Sequence, residues 1–118
     1  MTTRQLNPKL QSRLGITQEQ LAEFCQRWKV VELALFGSVL RDDFRPDSDI
    51  DIMVEFHPEA RPTFSTLDRM EAELKIMFDR EIDLITRQGI ASSRNYLRRH
   101  EILSSAQVIY ATGSAISA

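Results

Sequence analysis

A chain of 118 residues, 42% hydrophobic and 27% charged, fits one globular domain with a core, without room for a separate substrate-binding domain. Its net charge of −2 argues against a protein whose main task is coating nucleic acid, which rests on a basic, phosphate-neutralising surface. No apolar run is long enough to span a membrane and the start MTTRQLNPKL lacks the apolar core of a signal peptide, so the expected location is the cytoplasm.

Residues 1–16 are polar, carry Pro8 and Gly15, and read as a loose N-terminal arm with at most one helical turn. Thr17-Gln18-Glu19-Gln20 is a capping-box pattern, with Ile16 and Leu21 placed for a hydrophobic staple. Leu21, Phe24, Cys25 and Trp28 continue at helical spacing, which predicts a helix over 17–28. Cys25, the single cysteine, reads as a buried thiol within it. Val30 to Phe36 is a short apolar, β-branched run stopped by Gly37, as expected of a buried strand. Residues 39–48 suit a helical turn followed by a loop.

Asp49 to Phe56 alternates with period two, placing Ile50, Ile52, Val54 and Phe56 on one face and Asp49, Asp51, Met53 and Glu55 on the other. After a loop with Pro58 and Pro62, the spacing of Phe64, Leu67, Met70, Leu74, Met77 and Phe78 predicts an amphipathic helix, with Ser65-x-x-Asp68 as its start signal. Glu81 to Thr86 reads as a strand with Asp83 between Ile82 and Leu84. A last helix is expected over 92–103, then Val108 to Tyr110 as an edge strand or a continuation of that helix. Residues 111–118 are expected to fray. The alternation of helices and strands calls for an α/β (α+β) fold, a small mixed sheet flanked by helices over residues 17–110.

The informative pattern is Gly37-Ser38, ten residues, then Asp49-Ile50-Asp51. Residues two apart on a strand share a face with Cα atoms about 6.5 Å apart, close enough for two carboxylates to meet one divalent ion. Hard oxygen donors suit Mg²⁺, usually held by one or two carboxylates together with substrate phosphates and water. Free backbone N–H groups at Gly37-Ser38 would form an anion site that glycine lets a phosphate approach. The blander alternatives are a solvent face for the aspartates and an N-cap role for Ser38. They weaken because Asp83 lies on a further apolar strand, and three aspartates so placed repel one another without a cation. Asp47 and Ser48 read as turn-formers, His57 and His100 have no partner pattern, and Arg94, Arg98 and Arg99 read as a solvated helix face rather than a binding patch.

The run LFGSVLRDDFRPDSDIDIMVEF, with the later Asp83, resembles the nucleotidyltransferase domain of the DNA polymerase β superfamily. It is most similar to the minimal nucleotidyltransferases, the MNT-domain antitoxins encoded beside HEPN-domain toxins. The resemblance implies a polymerase β-like fold in which Asp49 and Asp51 bridge two Mg²⁺ ions and Asp83 completes the site of the attacking oxygen. It implies that Gly37 and Ser38 hold the triphosphate and Arg41 contacts phosphate, although Asp42 stands where many relatives have glycine. An alternative partner for Arg41 is Asp42 or Asp43. The implied reaction moves AMP from ATP to a protein hydroxyl, a tyrosine of a HEPN-type toxin, with the chain assembling with that toxin or with itself. The alternatives are a non-catalytic nucleotide-binding antitoxin acting by occlusion, and a transferase acting on RNA or a small molecule.

Overall fold

The computed structural model describes residues 8–41, 44–45 and 47–112. The elements run α1 (Pro8–Leu14), α2 (Gln18–Arg27), β1 (Val30–Phe36), a 3-10 turn (Gly37–Leu40), β2 (Ile50–Phe56), α3 (Phe64–Phe78), β3 (Ile82–Thr86), α4 (Arg87–Ala91), α5 (Tyr96–Ser105) and β4 (Gln107–Ala111). Strand order in the sheet is β3-β2-β1-β4. Only β2 and β3 run parallel, joined by a crossover through α3, while β1 pairs antiparallel with both neighbours. This is the mixed sheet that the alternation of elements predicts.

Local chemistry explains where the helices begin. Gln20 N donates to Thr17 Oγ1 at 3.1 Å and Thr17 N donates to Gln20 Oε1 at 2.9 Å, the reciprocal capping box of α2. Ile16 and Leu21 are both buried beside it. For α3 the structure corrects the expected start at Ser65. The cap is Thr63, whose hydroxyl accepts from Thr66 N at 3.2 Å while Thr63 N donates to Thr66 Oγ1 at 3.2 Å. Ser65 lies inside the first turn and cannot cap it.

The helix expected over 92–103 is α5, which starts later, at Tyr96, and a further short helix, α4, precedes it at Arg87–Ala91. Thr86 Oγ1 caps α4 by accepting from Gly89 N at 2.9 Å, and α5 is capped by Asn95, whose Oδ1 accepts from Arg98 N at 3.1 Å. Val108 to Tyr110 lies within the edge strand β4 rather than extending a helix.

The sheet is buried on both faces. One face, with Leu33, Leu35, Ile50, Ile52, Val54 and Ile109, packs on α1, α2 and α3 through Leu14, Phe24, Leu74 and their neighbours. The opposite face carries a smaller cluster, in which Ala34, Phe36 and Met53 meet Ile90 of α4 and Ile102 of α5. Met53, on the same strand face as Asp51 and Glu55, is 3% exposed, because α4 and α5 roof that side. Cys25 is buried, and desolvation raises its thiol well above the ordinary range, which makes it inert at neutral pH. Among the described residues no helix is long and apolar enough to cross a membrane.

The segment expected to be a loose arm also differs. Residues 8–14 form α1, with Leu10 and Leu14 buried in the main core. Seven residues hold too few apolar positions for a periodicity signal, so docking rather than propensity makes this helix. Residues 1–7 and 113–118 lie outside the described residues, and with them most of the expected frayed tail. Leu14→Ala should cost about 2–4 kcal/mol, the range for removing a buried leucine side chain, in urea unfolding. A loss near zero would mean that α1 is not docked in solution.

Candidate active site

Three aspartates come to one end of the α4/α5 face. In the parallel pairing of β2 with β3, Asp51 lies directly opposite Asp83, and in the antiparallel pairing with β1 it lies opposite Phe36. The next residue after Phe36 is Gly37, where the chain turns with φ +79°. A Cβ at Gly37 would overlap Asp51 Oδ2 and lie 3.1 Å from Asp51 Cγ. Glycine is thus required twice at this position, once for its left-handed backbone and once for the approach of the carboxylate. Asp49 precedes β2, exposed, with Ile50 N bonded to Glu81 O at 3.0 Å to start the parallel pairing.

Burial raises the pKa of Asp51 above the ordinary aspartate value, and the neighbouring charges of Asp83 and Asp49 push it further in the same direction. The guanidinium groups of Arg98 and Arg41 oppose that rise. Asp51 is half-buried, while Asp49 and Asp83 are exposed. A plain solvent face does not account for a half-buried carboxyl in register with a second one and close to a third.

Phe36, Gly37, Arg41, Asp51 and Asp83 line an open cleft of about 540 Å³, closed on the far side by Asn95, Arg98 and Ile102 of the α5 region. Ser38 and Asp49 do not line it. Ser38 is not an N-cap, because Phe36 holds the cap position of the 3-10 turn; its carbonyl accepts from Arg41 N at 2.9 Å. Asp42, Asp43 and Pro46 are outside the described residues, so the alternative pairing of Arg41 with Asp42 or Asp43 is as well. A slightly larger hollow of about 630 Å³ lies at the other end of β2, near Phe56, Leu67 and Arg87. Arg87 there is tied to Glu32 at 3.4 Å and to Glu55 at 3.9 Å, so these carboxylates are matched by a guanidinium.

Arg98 is exposed, as a solvated helix face requires, and also lines the cleft of Asp51 and Asp83. Of the two arginines grouped with it in the sequence, Arg99 holds the α4–α5 connection by donating to Ser93 O at 3.1 Å, and Arg94 is exposed. Ser48 acts as the turn-former that its position suggested: its Oγ accepts from Arg45 N at 2.9 Å. His57 Nδ1 accepts from Glu59 N at 3.1 Å in the loop that follows β2, at the opposite end of that strand from Asp51.

Among the described residues, no three acidic, histidine or cysteine side chains are gathered tightly enough to form a ready-made ion cage. Mg²⁺ does not need one, since it keeps waters and substrate oxygens in its shell. The donor set fits such an ion: carboxylate oxygens, crowded enough that Asp51 resists ionisation, beside a glycine that leaves space for them.

A mixed sheet with Gly-Ser at the end of one strand and paired aspartates on the next two defines a nucleotidyl-transfer scaffold. The chain matches the nucleotidyltransferase domain over residues 18–114 and belongs to that family. It is 41% identical over 64 residues to a protein of Methanocaldococcus jannaschii whose assignment as a protein adenylyltransferase is itself provisional; the match covers 54% of this chain and 64% of that protein, so the chain spans less than two thirds of that relative. It is 31% identical over 70 residues to the protein adenylyltransferase MntA of Thermococcus cleftensis, covering 59% of this chain and 69% of that one. Its fold is shared with the structure of a tri-AMPylated HEPN toxin in complex with an MNT antitoxin from Shewanella oneidensis, at a TM-score of 0.56 and 18% identity, over 84% of this chain and 73% of that chain.

The raised pKa of Asp51 has a consequence for stability. The folded state holds the Asp51 proton to higher pH than the unfolded chain does, so folding is favoured most below the ordinary aspartate value of 3.8. That contribution is lost as pH rises through the raised folded value. Asp51→Asn should flatten this segment of the stability profile, read as urea midpoints in metal-free buffer from about pH 4 upwards. A variant with the same slope as the wild type would show that Asp51 titrates normally.

Proposed function

We propose that the chain is a Mg²⁺-dependent adenylyltransferase that moves AMP from ATP to a protein hydroxyl, a tyrosine of a cognate HEPN-type toxin, and so acts as an antitoxin. The observation that carries this reading is Asp51 paired with Asp83 across two parallel strands, over a cleft that also holds Gly37, Arg41 and Arg98. Family membership and the adenylyltransferase names of the relatives support the reaction class. The toxin in the Shewanella oneidensis complex supports the kind of acceptor.

In this mechanism the acceptor oxygen attacks the α-phosphorus of ATP in line with the departing bridge oxygen. A new P–O bond forms to the acceptor, the bond to the β-phosphate breaks, and pyrophosphate leaves. Asp49, Asp51 and Asp83 would hold Mg²⁺, which when bound supplies charge neutralisation at the reacting phosphate and makes the acceptor hydroxyl easier to deprotonate. In this reading Asp83 also takes the acceptor proton, and its exposure supports passing that proton on to water. Gly37 and Ser38 present backbone N–H groups to the triphosphate, and Arg41 and Arg98 neutralise its charge from the two sides of the cleft. The openness of the cleft leaves the acceptor to be brought by its own protein surface.

The direct test is intact-mass measurement of the HEPN-type product of the neighbouring gene after incubation with this protein, ATP and Mg²⁺. The expected result is mass gain in whole AMP units, lost with Asp49→Asn or Asp51→Asn while both variants remain folded. An unmodified partner beside efficient labelling of RNA ends or a small alcohol would replace the protein acceptor. Calorimetric ATP binding with no transfer to any acceptor would favour occlusion alone.

The phosphate roles separate from stability. Loss of an ordinary cap costs about 1 kcal/mol, but Ser38 is not a cap, so Ser38→Ala should change thermal stability little and weaken ATP binding. Arg98→Ala should raise the ATP KM on the order of tenfold, the worth of one charge-assisted contact of about 1.4 kcal/mol. Unchanged ATP affinity in both variants would remove Ser38 and Arg98 from the nucleotide site.

A further inference from the structure

The loop between the Gly37–Leu40 turn and β2 has one end at the phosphate site and the other at the metal site. It carries Arg41 at its start and delivers Asp49 at its end. Two arginines from elsewhere in the chain grip it. Arg13 of α1 donates through Nη1 to Val39 O at 2.6 Å and to Arg41 O at 2.7 Å. Arg80, between α3 and β3, donates through Nη1 to Arg45 O at 2.8 Å and to Ser48 O at 3.1 Å. Between these two grips lies Phe44, whose ring centroid is 5.5 Å from the Arg13 guanidinium carbon and 4.3 Å from that of Arg80.

We infer that Arg13, Phe44 and Arg80 form a positioning strap, which fixes the loop so that Arg41 and Asp49 stand ready for nucleotide and metal. The inference rests on the function proposed above and adds to it a set of residues that touch no reactant. Guanidinium suits this task for a physical reason. Its plane can lie against an aromatic ring while its N–H groups reach outward to carbonyl oxygens. An ammonium group would keep the charge, but it has no plane to stack and a different reach. The loop closes on itself as well: Arg45 N donates to Ser48 Oγ at 2.9 Å and Ser48 N to Arg45 O at 3.0 Å. Arg13 precedes residue 18, where the match to the nucleotidyltransferase domain begins. Helix α1 thereby contributes to the active centre from outside the matched segment.

The competing explanation is plain packing, since Phe44 also leans on the main core. Phe44→Leu keeps apolar bulk and removes the ring, Phe44→Tyr keeps the ring, and Arg13→Lys keeps charge and removes the plane. Each is examined by amide hydrogen exchange at Arg41, Arg45 and Ser48, and by kcat and KM for ATP in the transfer assay. The strap predicts faster exchange at these amides in Phe44→Leu and Arg13→Lys. It predicts a kcat/KM lower by on the order of tenfold to a hundredfold, as expected for ångström-scale misplacement of reacting groups. Phe44→Tyr should restore both. Wild-type kinetics in Phe44→Leu and Arg13→Lys would overturn the strap, even if exchange quickened. A kinetic loss with unchanged exchange, or one that Phe44→Tyr fails to restore, would overturn it too. Transfer absent from the wild-type protein would count against the proposed function instead; exchange alone would then decide, faster exchange upholding the strap and unchanged exchange overturning it.

Discussion

Like charge held close, opposed only by the guanidinium groups of Arg98 and Arg41, is the constraint around which this structure is arranged. Asp51 and Asp83 are in register on two parallel strands, and Asp49 lies two residues ahead of Asp51. Parallel register needs a crossover, which α3 supplies. Close approach needs a missing side chain, which Gly37 supplies. Compensating positive charge comes from Arg41 on one rim of the cleft and Arg98 on the other. Each of these features costs something locally: a left-handed backbone, a half-buried acid, an open cleft. The rest of the fold has to hold them in place.

It does so by an unequal division of the hydrophobic core. The larger cluster, on the face covered by α1, α2 and α3, contains nearly every fully buried large side chain. The smaller one beneath α4 and α5 is built from a few residues, and the aspartate-lined cleft opens at its edge. Burial of apolar surface scales with area, so the first face carries most of the stability. The second face is free to be thin. That asymmetry lets a polar, charge-crowded site coexist with a domain of this size.

Much of this was legible in the sequence. The period-two alternation in residues 49–56 and 81–86 located both aspartate strands, and the Thr17–Gln20 box located α2. The glycine before Ser38 marked the end of β1. The rest was written in tertiary contacts that no window of residues displays. The alternation puts Met53 on the face of Asp51 and Glu55 but does not show that α4 and α5 bury it there. Arg98 is as exposed as its sequence position suggests, but that it also lines the cleft depends on where α5 starts after residues 92–95. Helix α1 is too short to show a period, and its role depends on two carbonyl groups at Val39 and Arg41. The cap at Thr63 was missed because Ser65-x-x-Asp68 offered an equally good local pattern, and only the reciprocal bonds with Thr66 distinguish them.

The contact between Gly37 and the Asp51 carboxylate also imposes an order on evolutionary change. Any side chain at position 37 runs into the carboxylate for as long as Asp51 is present. Were a lineage to abandon catalysis, Asp51 could shrink first at little structural cost, and only then would position 37 become open to substitution, still limited by its backbone. The reverse path begins with a strained turn pressed against a charged group. Decay of the site is thus directional: a descendant that keeps the glycine without the aspartate is an accessible stage, whereas one with a bulky residue facing an intact aspartate is a dead end.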